Sequence, residues 1–249
     1  MVDSPIDSTD ISRAVRVTCQ DCSLARQCLP FHLNENELCR FNGIVKRARP
    51  LHKHDHLIRA GDPVQYVYAL RSGALKSYLL SPDGTDQVTG FHFPGELIGL
   101  DALGEQRHPS YAAALETSMI CAIPVNQLED LAGQMPGLRK QLLRTLGREI
   151  HEEHEHHGHV RESAEERLVA FLLNLSVRYS RRGLSASNFA LPMSRRDIAN
   201  YLGLTTETVS RLFTRFRELN LIAGHGHEVQ LLDIRALCRQ GKTAGVASI

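Results

Sequence analysis

SRRDIANYLGLTTETVSRLFTRF, residues 194–216, reads as two short helices joined by a glycine. Ser194 has the position of an N-cap before RRDIANYL, Gly203 that of a tight turn, and Thr205 or Thr206 that of a cap before ETVSRLFTRFREL. Ile198, Ala199, Leu202, Leu204, Val209 and Leu212 are the expected small core between the two helices. A short helix, a glycine turn and an arginine-rich second helix make a helix-turn-helix, whose second helix enters the major groove of DNA. The following LIAGHGHEVQLLD, residues 221–233, reads as a two-stranded wing. On the side of the second helix away from Val209 and Leu212 stand Glu207, Ser210 and Arg211. Arginine pairs bidentately with guanine O6 and N7, and glutamate accepts from cytosine N4. Arg195, Arg196, Arg215 and Arg217 are placed for phosphates, which position a protein without specifying sequence. A helical hairpin with solvated arginines would need neither the caps, the turn glycine nor the wing.

Charge follows the same division. Residues 161–249 carry 13 Lys and Arg against 8 Asp and Glu, a balance of +5, whereas residues 1–160 carry 16 against 20, a balance of −4. A basic back half is the electrostatic footprint of a polyanion partner. Upstream, SAEERLVAFLLNLSVRYSRRG (163–183) is a helix with Ser163 and Glu166 at capping-box spacing, Gly183 as its stop, and Leu168, Phe171, Leu172 and Leu175 on its apolar face.

Before it, GLRKQLLRTLGREIHEEHEHHGHV (137–160) runs 24 residues without a proline. Leu143, Leu146, Ile150, Glu153 and His157 fall at 3-4-3-4 spacing and Val160 continues them, one seam of a coiled coil that is apolar at its start and polar at its end. Half a seam buries nothing alone, so a homodimer is the economical reading. A surface helix packed on its own domain is the plainer alternative. With one helix-turn-helix per chain, a dimer predicts a two-fold operator with half-sites about one helical turn (~34 Å) apart. The histidines of HEEHEHHGH (151–159) read as a solvated helix end.

From Leu51 to Ile123 short β-like runs alternate with turn residues: QYVYALRSGALKSYLL (65–80), the turn SPDGTD (81–86), then QVTGFHFPGELIGL (87–100). Many short strands at this spacing predict a roll or sandwich. VNQLEDLAGQM (125–135) is a short helix ended before Pro136, and residues 1–18 read as a polar arm. The fold class expected is therefore α+β. An arm over 1–30 precedes a roll or sandwich over 31–135, a long dimerisation helix over 136–162 and a winged helix-turn-helix over 163–249.

In the arm, VTCQDCSLARQC (17–28) places Cys19, Cys22 and Cys28 within ten residues. Cys121 stands alone in SMICAIP (118–124), alternating with Met119 and Ile123 on a strand. Four thiolates hold zinc or an iron–sulfur cluster. Structural zinc usually uses two C-x2-C knuckles and this chain has one, so the spacing leans to a cluster without excluding zinc. Cys39 and Cys238, in amphipathic stretches, read as small buried hydrophobes.

CQDCSLARQCLP, FPGELIGLDALGEQRHPSYAAALETSMICAIP, AEERLVAFLLNLS and SRRDIANYLGLTTETVSRLFTRF together resemble the CRP–FNR family of bacterial transcription regulators, and within it the oxygen-sensing FNR/ANR branch. The likeness runs from about Cys19 to the wing. It implies a β-roll of the cyclic-nucleotide-binding kind (a jelly roll), a long dimer helix and a winged helix-turn-helix. It also implies a [4Fe–4S] cluster on Cys19, Cys22, Cys28 and Cys121, intact without oxygen, and base reading by Glu207, Ser210 and Arg211 on an operator resembling TTGAT…ATCAA. A homodimer when cluster-loaded and contact with RNA polymerase follow from the same likeness, with SPDGTD and the surroundings of Tyr111 and Thr117 as candidate contact patches. The phosphate-binding Arg-Ser/Thr pair of the cyclic-nucleotide members is missing after Gly95-Glu96, where Arg107 is followed by His108, so no cyclic nucleotide is expected and Glu96 reads as a turn residue. Rival readings are a thiol- or zinc-based regulator of the same fold and a nucleotide-responsive one.

An enzyme is the least supported class: no phosphate-binding glycine loop with lysine, no H-E-x-x-H and no nucleophile elbow occur. Hydrophobic residues make up 42% of the 249 and no run reaches about 18 apolar residues, so no membrane span is expected. MVDSPIDSTDIS (1–12) lacks the basic and apolar regions of a secretory signal, and a cytoplasmic location is the default. There, cysteines serve as metal ligands, redox groups or buried thiols more often than as disulfides.

Overall fold

The computed structural model describes residues 18–158 and 162–240, the side chains of 155–158 excepted. The side chain of His157, all of Val160 and residues 1–17 of the expected arm lie outside the described residues. The chain divides into two compact units, Met1–Glu149 and Ile150–Ile249.

The first unit holds eight described strands: β1 (Lys46–Arg47), β2 (His56–Ile58), β3 (Tyr66–Ser72), β4 (Leu75–Leu80), β5 (Asp86–His92), β6 (Leu97–Ile98), β7 (Tyr111–Ala114) and β8 (Met119–Pro124). They form two antiparallel sheets ordered β1-β8-β3-β6 and β2-β7-β4-β5, the expected roll. Gly73, between β3 and β4, has φ +86, and a Cβ there would lie 2.3 Å from Ser118 Oγ, so this turn needs glycine twice over.

Strand alternation builds two cores. Leu57, Ile58, Leu70, Leu75, Ile98 and Ile120 pack together as one cluster fed by both sheets. On the other face of the first sheet Val67, Ala69, Leu97 and Ile123 meet Leu29, Phe41, Leu128 and Met135. These last residues come from the cysteine-bearing loop and from α1 (Glu35–Ile44) and α2 (Val125–Gln134) with its C-terminal flank. Successive residues of β8 thus serve different cores: Ile120 the first, Cys121 and Ile123 the second.

α1 starts with a capping box between Asn34 and Glu37 and buries only Phe41. Cys39 is exposed, contrary to the buried place expected of it. Two positions apart on a helix, Cys39 and Phe41 point nearly opposite ways, and Phe41 takes the core side. α3 (Pro136–Gly158) begins on its proline, which suits a first helical turn because no N–H bond is required there.

In the second unit α4 (Ala164–Arg181) has the capping box of Ser163 and Glu166 and buries Leu168, Phe171, Leu172 and Leu175. α5 (Arg195–Leu202) and α6 (Thr206–Glu218) are capped by Ser194 and Thr205, and Gly203 between them is left-handed at φ 63, ψ 38. Ile198, Val209, Phe213 and Phe216 are at most 1% exposed and form the core of the pair. The wing has three strands and not two: β9 (Asn188–Ala190) joins β11 (Glu228–Leu231), which also pairs with β10 (Ile222–Ala223). A three-residue strand shows no alternation to read; only its partner makes Asn188–Ala190 a strand. α7 (Ile234–Gln240) packs on α4.

Arg167 of α4 ties this unit together by donating from Nη1 to the Leu202 carbonyl (2.7 Å), capping the C-terminal end of α5 with positive charge. Replacing it with alanine is expected to lower unfolding stability by about 1–2 kcal/mol, since a hydrogen bond to a charged group is lost. Urea denaturation checks this. Among the described residues no helix is long and apolar enough to cross a membrane.

Candidate functional site

Two places carry the chemistry. The first begins in the loop before α1, where turns coil the chain: Ala25 N–H donates to the Cys22 carbonyl (3.0 Å) and Cys28 N–H to that of Leu24 (3.1 Å). Leu29, 1% exposed, plugs the loop into the outer core. Cys19, Cys28 and Cys121 all pack against that same core, and Cys22 is half-buried beside them in sequence. Residues about a hundred positions apart thus share one face of the β1-β8-β3-β6 sheet.

Burial pushes the Cys19 thiol up to about 11, with Cys121 and Cys22 adding to the rise and Arg47 opposing it. Burial pushes Cys28 to about 12; a backbone hydrogen bond at Leu29 opposes this, and Cys19, Cys121 and Cys22 add to it. Cys121 is raised as well, first by burial, with Arg47 and Arg71 opposing. Cys22 thus adds to the rise at all three, and Cys121 to that at Cys19 and Cys28. At neutral pH Cys19 and Cys28 are protonated, and neutral thiols pack as small apolar groups.

Among the described residues no three His, Cys, Asp or Glu side chains converge closely enough to hold a metal ion as they stand. A metal centre that binds these thiols must displace their protons as it does so. The chemistry of the patch fits an iron–sulfur centre: four sulfur donors, an apolar wall, and one guanidinium, Arg47, whose Nε–H is buried without an acceptor among the described residues. Asn42 and Arg47 carry no motif, and nothing in their local sequence marked them for this site.

The second place is the exposed side of α6. Glu207 and Arg211 form an i, i+4 ion pair at 3.1 Å, both side chains over 70% exposed, and Ser210 Oγ donates to the Thr206 carbonyl (2.8 Å). The three expected base readers thus share one open face, and the exposed pair, ~0.2–0.5 kcal/mol, is released at little cost. Arg196 is exposed. The other expected phosphate contacts are engaged within the protein. Arg195 lies 3.4 Å over the Phe213 ring and donates from Nη2 to the Gly226 carbonyl of the wing (3.2 Å). Burial, then neighbouring Arg217, brings its guanidinium down to about 10, so it stays charged at neutral pH. Arg215 pairs with Glu165 of α4 at 2.6 Å, and Arg217 donates to Thr214 Oγ1 (3.1 Å). Sequence cannot show such engagements, since each partner except Thr214 is remote in the chain.

On α3, Leu143 and Ile150 are 63% and 56% exposed, and Glu153 is exposed. Leu146 is half-buried and turned in part to the outer core of the first unit.

Comparisons with known proteins agree with this order of parts. Residues 48–134 match the cyclic nucleotide-binding domain and residues 166–240 the Crp-like helix-turn-helix domain. The chain is 50% identical over 221 residues to the transcriptional activator protein Anr of Pseudomonas protegens, covering 88% of this chain and 91% of that protein. It is 46% identical over 233 residues to the fumarate and nitrate reduction regulatory protein of Escherichia coli, covering 93% of each. The solved structure of FixK2 from Bradyrhizobium japonicum is similar at 30% identity and TM-score 0.71, over 79% of this chain and 97% of that one. A β-roll, a long helix and a capped helix-turn-helix, with identity of this extent to regulators over nearly the whole chain, lead to one conclusion: the chain belongs to the CRP–FNR family of DNA-binding transcription regulators, among those of the FNR and ANR type.

Proposed function

We propose that this regulator responds to oxygen through an iron–sulfur centre, a [4Fe–4S] cluster held by Cys19, Cys22, Cys28 and Cys121. The observation that carries the reading is that Cys19, Cys28 and Cys121 pack against one core, with Cys22 within electrostatic reach. When bound, the cluster supplies an oxygen-reactive redox centre that the side chains themselves lack. The cysteines' part is to tie the loop before α1 to β8.

A switch made of bare thiols is less well supported. Thiols raised to about 11 and about 12 are poor nucleophiles at neutral pH, whereas a metal centre displaces their protons on binding.

The tie governs pairing of two copies along α3, and pairing governs operator binding. Leu143 and Ile150 offer exposed apolar surface for a partner, while Glu153 would oppose its own equivalent across the seam. A pair that is marginal for this reason responds to a small change in the sensor unit. Glu153→Ala is therefore expected to dimerise and bind operator in air, as read by analytical ultracentrifugation and a mobility shift. A strictly monomeric Glu153→Ala protein would sink the account.

The paired α6 helices would read an operator resembling TTGAT…ATCAA, and RNA polymerase would meet SPDGTD and the surroundings of Tyr111 and Thr117, so that genes of anaerobic metabolism are activated or, at some sites, repressed. A cyclic nucleotide finds little welcome in the roll. Glu96 accepts from the Phe93 N–H (2.9 Å) and so braces its own turn. The Arg107 guanidinium donates to the Gly61 carbonyl, and Ser110 Oγ is committed to the Asp101 carboxylate (2.6 Å), which would repel a phosphate.

Iron and sulfide analysis of protein isolated without oxygen, with operator affinity measured before and after air, tests the whole reading. A colourless zinc protein with unchanged affinity in air refutes it.

A further inference from the structure

One pair of side chains joins the segments that carry the cysteines. Asn42, in the last turn of α1, uses Oδ1 to accept from the Cys19 backbone N–H (3.0 Å) and from Arg47 Nη2 (2.8 Å). Arg47 lies on β1 directly opposite Cys121 on β8. Residues paired in this way stand on the same face of a sheet with Cβ atoms about 4.5–5.5 Å apart. The stem of Arg47 therefore rises beside Cys121 while its far end is fastened to the anchor of Cys19. Its Nε–H is buried with no acceptor among the described residues.

A buried donor left unpaired is uncommon in a folded protein and calls for a partner. A guanidinium has only donors to offer, so the partner must be an acceptor, and an anionic one matches its charge. The groups around it that become strong acceptors on losing a proton are the sulfurs of Cys19 and Cys121.

We propose that Asn42 and Arg47 are positioning residues of the cysteine site: Asn42 pins the Cys19 end of the loop, and Arg47 Nε–H donates to a thiolate or sulfide sulfur assembled beside Cys121. The proposal rests on the cluster reading and deepens it, since it names what sets the strength of the tie. An N–H···S bond and an adjacent positive charge favour the more negative, reduced state of a sulfur-ligated centre and so raise its reduction potential.

The test uses the full chain, prepared without oxygen, with Arg47→Met, Arg47→Lys and Asn42→Ala beside the wild type. Each apo-protein is titrated with Co(II), read by thiolate-to-cobalt charge-transfer absorption. Each is also reconstituted with iron and sulfide for a redox titration. Arg47→Met, which keeps an apolar stem of similar reach without an N–H, is expected to bind Co(II) roughly tenfold or more weakly, the usual cost of losing an outer partner of a metal site. Its centre should have a lower reduction potential. Arg47→Lys restores the charge and should recover most of the potential. Asn42→Ala should weaken Co(II) binding with a smaller change in potential. If the wild type loads and Arg47→Met matches it in both affinity and potential, this inference falls and the cluster reading stands. If the wild type takes up neither Co(II) nor iron and sulfide, both fall.

Discussion

A Cys121→Ser protein isolated without oxygen is expected to retain only a small fraction of the wild type's iron and sulfide and to lose operator binding, while keeping its circular dichroism. The expectation follows from where β8 places the residue. Cys121 is not an interior residue of the roll; it faces the outer core with Cys19 and Cys28, and it is the one sulfur of the four on a strand. A strand residue paired on both sides, with Arg47 and with Ala69, cannot move to seek the loop; the loop must come to it. Serine is close in size but is a poor ligand for iron–sulfur centres, so the tie is lost while the sheet survives. The hydroxyl in a partly apolar place costs stability only on the order of 1 kcal/mol. Full iron and sulfide in Cys121→Ser would remove Cys121 from the ligand set.

The second large effect is expected at Arg211. Each bidentate arginine–guanine contact is worth about 1–3 kcal/mol, and a two-fold complex contains it twice, so Arg211→Ala should weaken operator binding by about 2–6 kcal/mol. Fluorescence anisotropy at one fixed salt concentration measures it. With a contact to a base edge, as proposed, discrimination against operators changed at the paired guanine should collapse. The dependence of affinity on salt should stay as in the wild type, since that slope counts phosphates. A reduced salt slope with specificity intact would make Arg211 a phosphate contact and leave base reading to Glu207 and Ser210. Arg215→Ala should change affinity much less, because its guanidinium is already neutralised by Glu165.

Much of the fold is legible in the sequence. Ser163 with Glu166 and Ser194 cap the helices expected of them, Thr205 is the one of the two candidate threonines that caps α6, and Gly203 makes the expected tight turn in the left-handed conformation. These are decisions made within four or five residues by backbone hydrogen bonding and sterics, so the local text contains them. Where the local text is short it carries no signal: β9, three residues long, is a strand only through its pairing with β11. The amphipathic text around Cys39 points to a buried thiol, whereas the phase of α1 puts Phe41 in the core instead.

The site divides in the same way. Glu207, Ser210 and Arg211 share a face because α6 is a helix, and helical spacing is visible in sequence. That Arg195 is taken up by Phe213 and Gly226, and Arg215 by Glu165, is not visible there. The sequence by itself determined most of the elements, their caps, the order of the parts and the cysteine trio of the arm, because each depends on neighbours along the chain, while Cys121 joined the trio only through the family resemblance. Only the tertiary structure decided that Cys121 faces the loop and not the interior of the roll, and that Asn42 and Arg47 bind the two together. Those outcomes depend on which faces of remote segments meet, and packing, not spacing, makes that choice.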